Sequence, residues 1–349
     1  MDESPAAQKS TLPTGWIAQR AAGLSHGKNA AGKPQAKGIF AALSSAFFLG
    51  LAPIFGKQAI LFGLEPLAVV AVRTLLAAVL LFLVMAVFAR KYLYIYPAGL
   101  LGCLLAGWIN GFGSLFYYSA LGRIDAGIGH LLYSLYPIFL AIWLSLDREP
   151  PSRLTMLRIG LVLPAVFLLT ARGAGQVDPV GVLEMLIASA LYALHLPINQ
   201  RVLYDMPAPT VTAYTLLAMS GVVVPTFLFS GSLAPMHQVA LPEVAWPLVG
   251  LTLMTFFSRL TLFLGVKHLG GMQTALLGLS ELLVTLFFAQ LWLGERFSPA
   301  QWAGAGLLSV TLILVVLDRT PARRHAGRGW LSWLRPPGFP PDFPWQPHD

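Results

Sequence analysis

The sequence predicts an all-α integral membrane protein: ten transmembrane helices forming two inverted five-helix repeats. Three observations predict it. The composition suits no water-facing surface, the apolar residues fall into ten runs of spanning length, and a residue pattern from the first half recurs in the second. The 349 residues are 56% apolar and only 11% charged, with a mean hydropathy of +0.69. A soluble domain carries roughly a quarter charged residues, so most of this surface must meet lipid. Backbone groups in a bilayer must be satisfied within their own segment or in a closed barrel. The runs here are long and do not alternate, which excludes the barrel.

The runs fall at 39–61, 66–88, 94–121, 126–146, 154–171, 180–203, 209–231, 245–266, 271–293 and 299–317. Each is close to the roughly 20 residues that a spanning helix needs. The first carries Pro53-Ile54-Phe55-Gly56-Lys57. The second holds Arg73, roughly 11 Å from its outer edge at the rise of a helix. The third lines up Asn110, Ser114, Tyr117 and Tyr118, with Trp108 close by. The fourth gives His130, Tyr133, Ser134 and Pro137, the fifth contains Pro164, and the sixth sets Tyr192, His195 and Asn199 on one face. The eighth holds Arg259, roughly 10 Å from its inner edge. The ninth aligns Thr274, Gly278, Glu281 and Thr285. These stripes follow the i, i+3/i+4, i+7 spacing of a single helix face. Polar groups in spanning helices turn to the bundle interior, so the stripes converge on a wet central cavity.

The repeat sets the domain organisation. Pro53-Ile54-x-x-Lys57 returns as Pro197-Ile198-x-x-Arg201, each opening one half. Downstream, Tyr118–Ile124 corresponds to Phe263–Leu269, Leu131-Leu132 to Leu276-Leu277, and Pro137 to Leu282. Each half closes in a charged turn, with Glu149 or Glu295. The expected division is a disordered cytoplasmic tail over 1–37, a first repeat over 38–173, a second over 178–317, and a basic, proline-rich tail over 318–349. Five crossings are an odd number, so the second repeat lies upside down relative to the first. Inverted repeats place a substrate site near mid-membrane between the halves.

The net charge of +8 is a topological signal and implies no nucleic-acid partner. Basic residues gather in the two tails and in alternate loops, at Arg90, Lys91, Arg148, Arg153, Arg158, Arg201 and Lys267. The opposite loops hold Arg123, Arg172 and Arg296. By the positive-inside rule both termini are expected to be cytoplasmic. Lys57 and Arg201 stand near helix ends, where they are expected to snorkel. The lone Cys103 permits no internal disulfide. Residues 1–37 lack the apolar core of a secretory signal, and Asp2 and Glu3 argue against a transit peptide. The arginines around Trp330 and Trp333 suit either an anionic lipid surface or a solvated tail.

Three ionisable groups lie deep in the membrane: Arg73, Arg259 and Glu281. Two readings of them stay open. In one, either arginine faces a substrate carboxylate while Glu281 faces an amine or an exchangeable proton. In the other, Glu281 forms a structural pair with an arginine and locks two helices. His130 and His195 are further candidate proton carriers. The candidate substrate-binding set is Arg73, Trp108, Asn110, Tyr117, Tyr118, His130, Tyr133, His195, Asn199, Arg259 and Glu281. The chain has no His-Glu-x-x-His, Gly-x-Ser-x-Gly or Gly-rich phosphate loop, so neither an enzyme nor direct ATP driving is expected, and no cofactor or metal. A receptor or scaffold would leave the repeat and the converging stripes unexplained.

The stretch Gly278-Leu279-Ser280-Glu281-Leu282-Leu283, then Leu293-Gly294-Glu295-Arg296 and Gly304-Ala305-Gly306-Leu307, resembles the EamA-type members of the drug/metabolite transporter superfamily. The resemblance covers roughly 38–317. Leu282 stands where the family usually has proline, Leu146-Asp147-Arg148-Glu149 departs from its usual Leu-Gly-Glu, and Pro164 occupies a position that is often glycine. What the resemblance implies is a secondary transporter of small organic metabolites in a cell membrane, that of the bacterial inner membrane first, with export as the direction. The mixed charges and the tyrosines suit an amphipathic zwitterion such as an amino acid, moved by alternating access with a proton as candidate coupling ion. A nucleotide-sugar or sugar-phosphate carrier is the nearest alternative and would favour a more basic cavity.

Overall fold

Prolines mark where the helices begin. The computed structural model describes residues 35–52, 54–56, 58–59, 62–121, 123–124, 132–147, 151–170, 178–203, 205–230, 241–293 and 298–316. Helix α1 spans Gln35–Gly56. It is followed by α2 (Pro66–Phe88), a 3-10 turn (Arg90–Leu93), α3 (Pro97–Leu121), α4 (Tyr136–Leu146) and α5 (Arg153–Thr170). The second half holds α6 (Pro179–Leu203), α7 (Ala208–Phe229), α8 (Leu241–Leu269), α9 (Gly271–Gly278), α10 (Glu281–Leu293) and α11 (Pro299–Val316). Pro66, Pro97, Pro137, Pro179, Pro209 and Pro299 all lie at or next to a helix start, where a missing N–H costs nothing. Gly63 and Gly270 adopt positive φ of 96° and 84°, the conformation that lets the chain reverse after α1 and after α8. No strand occurs among the described residues.

Six helices are long and apolar enough to cross a bilayer: α1, α2, α3, α6, α7 and α8. The other apolar segments are shorter, at Tyr136–Leu146, Gly271–Val284 and Trp302–Thr311. Each run expected from the sequence contains a helix. The eighth is longer than expected, at 29 residues. Its polar ends are helical because Glu243 in the first turn and Lys267 and His268 in the last complement the helix dipole. Residues 126–131 of the fourth run, with His130, lie outside the described residues, as do residues 1–34, 231–240 and 317–349, while residues 35–37 of the expected tail begin α1.

The fourth and ninth runs are interrupted at matching positions. Two residues leave the helix at Ser134-Leu135, and two more at Leu279-Ser280. In the first half Leu135 N donates to Leu132 O, and Ile138 N to Leu135 O. In the second, Ser280 N donates to Leu277 O, and Leu283 N to Ser280 O. These i→i+3 bonds tighten the turn locally. Tyr136 and Glu281 are the first helical residues after it, so the residue correspondence found in the sequence extends to hydrogen bonds.

Helix packing follows the same exchange of halves. Helix α3 packs on α7 as α2 packs on α8, while α2 with α7, α5 with α11 and α4 with α9 pair counterpart helices directly. The contact of α3 with α6 has its counterpart in α8 with α1. There, Ser45 donates to Ser258 O at 2.9 Å, and Gly265 lets Ala42 approach. Small residues permit these approaches: a Cβ on Gly107 would stand 2.5 Å from Thr215 O.

Polarity is inverted relative to a soluble protein. Asn110, Ser189, His195, Asn199, Thr210 and Thr212 are buried, while Val79, Leu83, Phe88 and Phe229 are exposed. Lipid accepts the second set, while Ser189, Thr210 and Asn199 bond to neighbouring segments and Thr212 and His195 bond to carbonyls of their own helices.

Several contacts gather helix ends at one face. The start of α1 meets the end of α8, at Gly38 against His268 and Leu269. Gln200, near the end of α6, accepts from Gly271 N at the start of α9. Thr210 and Tyr214 of α7 donate to the carbonyls of Tyr92 and Leu93 in the turn after α2. Arg158 of α5 donates to Leu314 O near the end of α11. Helix α1 therefore begins, and α11 ends, at the same face. At that face Arg201 departs from the snorkelling expected of it. It is buried, 2.6 Å from Asp147 at the end of α4, because the C-terminal ends of α4 and α6 meet at this face and bring a carboxylate to it.

Candidate functional site

The tyrosines form one connected cluster. Tyr133 lies 4.9 Å from Tyr117, 5.3 Å from Tyr192 and 6.2 Å from Tyr136, ring centre to ring centre. Tyr117 also meets Tyr118 at 5.3 Å, and Tyr136 meets Tyr192 at 5.1 Å. His195 extends the cluster 4.8 Å beyond Tyr192. Helices α3 and α6 and the turn before α4 supply rings that the sequence stripes contain, and α4 adds Tyr136, which they do not. Most pairs are tilted or edge-to-face, the preferred geometry of neighbouring aromatic rings.

The charges adjoin this cluster. Glu281 lies within electrostatic reach of Tyr117, Tyr133, Tyr136 and Tyr192. Arg259 acts on Glu281, Tyr133, Tyr192 and His195. Arg73 places its guanidinium carbon 5.9 Å from the centre of the Tyr118 ring, a cation–π distance. Among the described residues neither arginine has a carboxylate within 4.0 Å. The buried Nε of Arg73 and Nη1 of Arg259 have no hydrogen-bond partner there. A direct Arg–Glu clamp, one of the two readings the sequence left open, is absent between these residues.

The backbone fixes Glu281. Gly50 of α1 lies against it so closely that a Cβ would come within 2.8 Å of the Glu281 carbonyl. Tyr136 donates to Ala275 O at 2.6 Å, and Gly278 leaves room for its hydroxyl. The first half thereby holds the turn that carries Glu281. His195 is buried, and its Nδ1 donates to the carbonyl of Tyr192. Nε2 is left as the acceptor nitrogen, buried without a partner among the described residues.

The remaining candidates sit elsewhere. Asn110 faces α7, its Nδ2 3.4 Å from Met219 Sδ. Asn199 accepts from Thr215 at 3.1 Å. Trp108 is 47% exposed and makes no ring contact with the tyrosines. Tyr136 was not among the candidates, since beside Pro137 in an apolar run it reads as core. Its one signal is that it occupies in the first half the place of Glu281 in the second. A small cavity of about 30 Å³ adjoins the site, lined by Leu49, Ala52, Arg73, Thr74, Leu216, Met219, Thr255, Ser258 and Arg259. It brings Arg73 and Arg259 to one space.

The two matching halves have a counterpart in the comparison with known families. The model of the EamA-like transporter family matches twice, over residues 36–171 and 179–317. The chain belongs to the EamA-like transporter family. It is a multi-pass membrane transporter, not an enzyme, and the family implies a small-molecule substrate. A Bacillus subtilis (strain 168) protein described as the uncharacterized transporter YcbK is 24% identical over 272 residues, covering 72% of this chain and 84% of that one. A protein of known crystal structure superposes with a TM-score of 0.67 at 15% identity. That match covers 80% of this chain and 96% of the other and speaks for the fold alone. In this EamA-like chain the tyrosine cluster and its charges are the candidate transport site.

Proposed function

We propose that this family member is a ten-span secondary transporter in which two inverted five-helix repeats, 38–173 and 178–317, rock about the tyrosine site. It exports small amphipathic metabolites, amino acids first, across a cell membrane. The observation that carries the reading is that Arg259 and Glu281 share one aromatic site without forming a direct ion pair. Opposite charges left apart at mid-membrane suit a zwitterion that completes both. The substrate carboxylate faces arginine, its amine faces Glu281, and its side group lies on Tyr117, Tyr133 and Tyr192. The matching turns and exchanged packing support the inverted repeat, whose fixed central site favours alternating access. Glu281 and His195 are the candidate proton carriers within the described residues. Export follows from the family resemblance.

Purified protein in liposomes should exchange labelled amino acids, and a proton-coupled cycle should respond to an imposed pH gradient. Flux of nucleotide sugars or sugar phosphates, with none for a broad amino-acid panel, would reject the zwitterion and install the basic-cavity alternative.

A further inference from the structure

We infer that Arg73 and Arg259 act together as a seat for one small monovalent anion, either a carboxylate or a halide. The seat adjoins the tyrosine surface at Arg73, whose guanidinium lies 5.9 Å from the centre of the Tyr118 ring. The inference deepens the transport reading and rests on it only where the anion is the substrate's own carboxylate.

The cavity between α1, α2, α7 and α8 is lined by both arginines and by no acidic residue. Its hydroxyl groups are unequal. Thr255 donates to Leu251 O and Ser258 to Thr255 O, so their hydrogens are engaged on backbone carbonyls. The N–H groups of Arg73 and Arg259 and the O–H of Thr74 remain as donors. A rim of unengaged donors with two formal positive charges selects an acceptor-only, negatively charged guest. Glu281 balances at most one of the two charges, and only across a gap. Buried charge in a membrane calls for a partner, and the described residues of the protein leave one position unfilled.

Size narrows the chemistry. A cavity of about 30 Å³ holds one or two water-sized groups, by the volume a buried water needs. A carboxylate head or a chloride ion fits; a tetrahedral phosphoryl group with its substituent does not. The same two arginines that give the molecule a basic centre therefore select against a sugar phosphate, and they do so by space rather than by charge.

The experiment uses the full chain in lipid nanodiscs, in a bulky-anion buffer such as gluconate, with chloride, acetate or inorganic phosphate added separately. Chloride and acetate should each raise the melting temperature, by roughly 2–4 °C at concentrations well above Kd, and phosphate should not. The shift should be lost in Arg73→Gln and Arg259→Gln and weakened in Thr74→Val. A response to chloride alone identifies a free ion as the occupant, and one to acetate alone identifies the carboxylate. If an arginine variant does not fold, radiolabelled chloride bound to the unaltered protein should be displaced by acetate and not by phosphate. No anion response, or an equal one in folded arginine variants, overturns the seat. Amino-acid flux measured on the same preparations separates the two ideas. An anion response without flux sinks the transport reading alone, and flux without an anion response sinks the seat alone.

Discussion

Two residues show how differently a charge can be used at the same depth of sequence information. Arg201 is paired with Asp147 at 2.6 Å, both nearly inaccessible, whereas Glu281 has no ion-pair partner among the described residues. Removing one member of a buried pair leaves the other charge stranded, at a cost of about 3–5 kcal/mol. Asp147→Asn should therefore lower the melting temperature of the solubilised protein strongly. Combining it with Arg201→Gln should recover much of the loss, which a double-mutant cycle measures. Additive losses would show that the pair is not the unit. Glu281→Gln should behave in the opposite way. Expression and melting should change little, while amino-acid flux per folded molecule should fall roughly tenfold, the equivalent of one charged hydrogen bond of about 1.5 kcal/mol. A poorly folded variant with normal flux per molecule would make Glu281 structural. Glu281 was legible in the sequence because a lone carboxylate in an apolar run has few explanations. The burial of Arg201 was not, because Asp147 reaches it only when the ends of two helices meet.

At the scale of the element, glycine decides which helices touch. A Cβ on Gly107 would meet Thr215 O and the Ala218 Cβ, both at 2.5 Å, whereas Gly221 has open space around it. Gly107→Ala must push α3 away from the α7 backbone and should destabilise by about 1–3 kcal/mol. Gly221→Ala should be neutral or stabilise by up to about 1 kcal/mol, the helix-propensity gain. Thermal melts of the two variants side by side check this, and equal effects would mean that propensity rather than close packing governs the seam. Helices of this kind are legible because length and hydropathy alone define a span. The turns at Ser134-Leu135 and Leu279-Ser280 were not, since neither contains glycine or proline and Pro137 falls two residues too late. Only the residue correspondence between Tyr136 and Glu281 pointed there. The hydrogen bonds that cap both turns are set by tertiary contacts such as Tyr136 to Ala275, which no local pattern encodes.

For the whole molecule, the question is which face meets the cytoplasm, and two independent observations bear on it. Packing places the start of α1, the ends of α2, α4, α6, α8 and α11, and the starts of α5 and α7 at one face. That face carries Arg90, Lys91, Arg153, Arg158, Arg201 and Lys267. The opposite end holds Arg123, already neutralised by Asp178 at 3.6 Å and Glu184 at 3.5 Å. Excess arginine and lysine in short loops stays on the cytoplasmic side during insertion, so we propose that the basic face is the inner one, an orientation that would set both tails in the cytoplasm. Arg90 and Lys91 sit side by side in the short turn between α2 and α3, next to the ends of two spans, so they should weigh most. Reporter fusions after Asp349 and within 232–244 should report opposite sides, the first cytoplasmic. Replacing both Arg90 and Lys91 by Gln should raise the fraction of inverted molecules, scored by the same reporters. Two fusions reporting the same side would break the three crossings expected between them, and with them the inverted repeat on which alternating access depends.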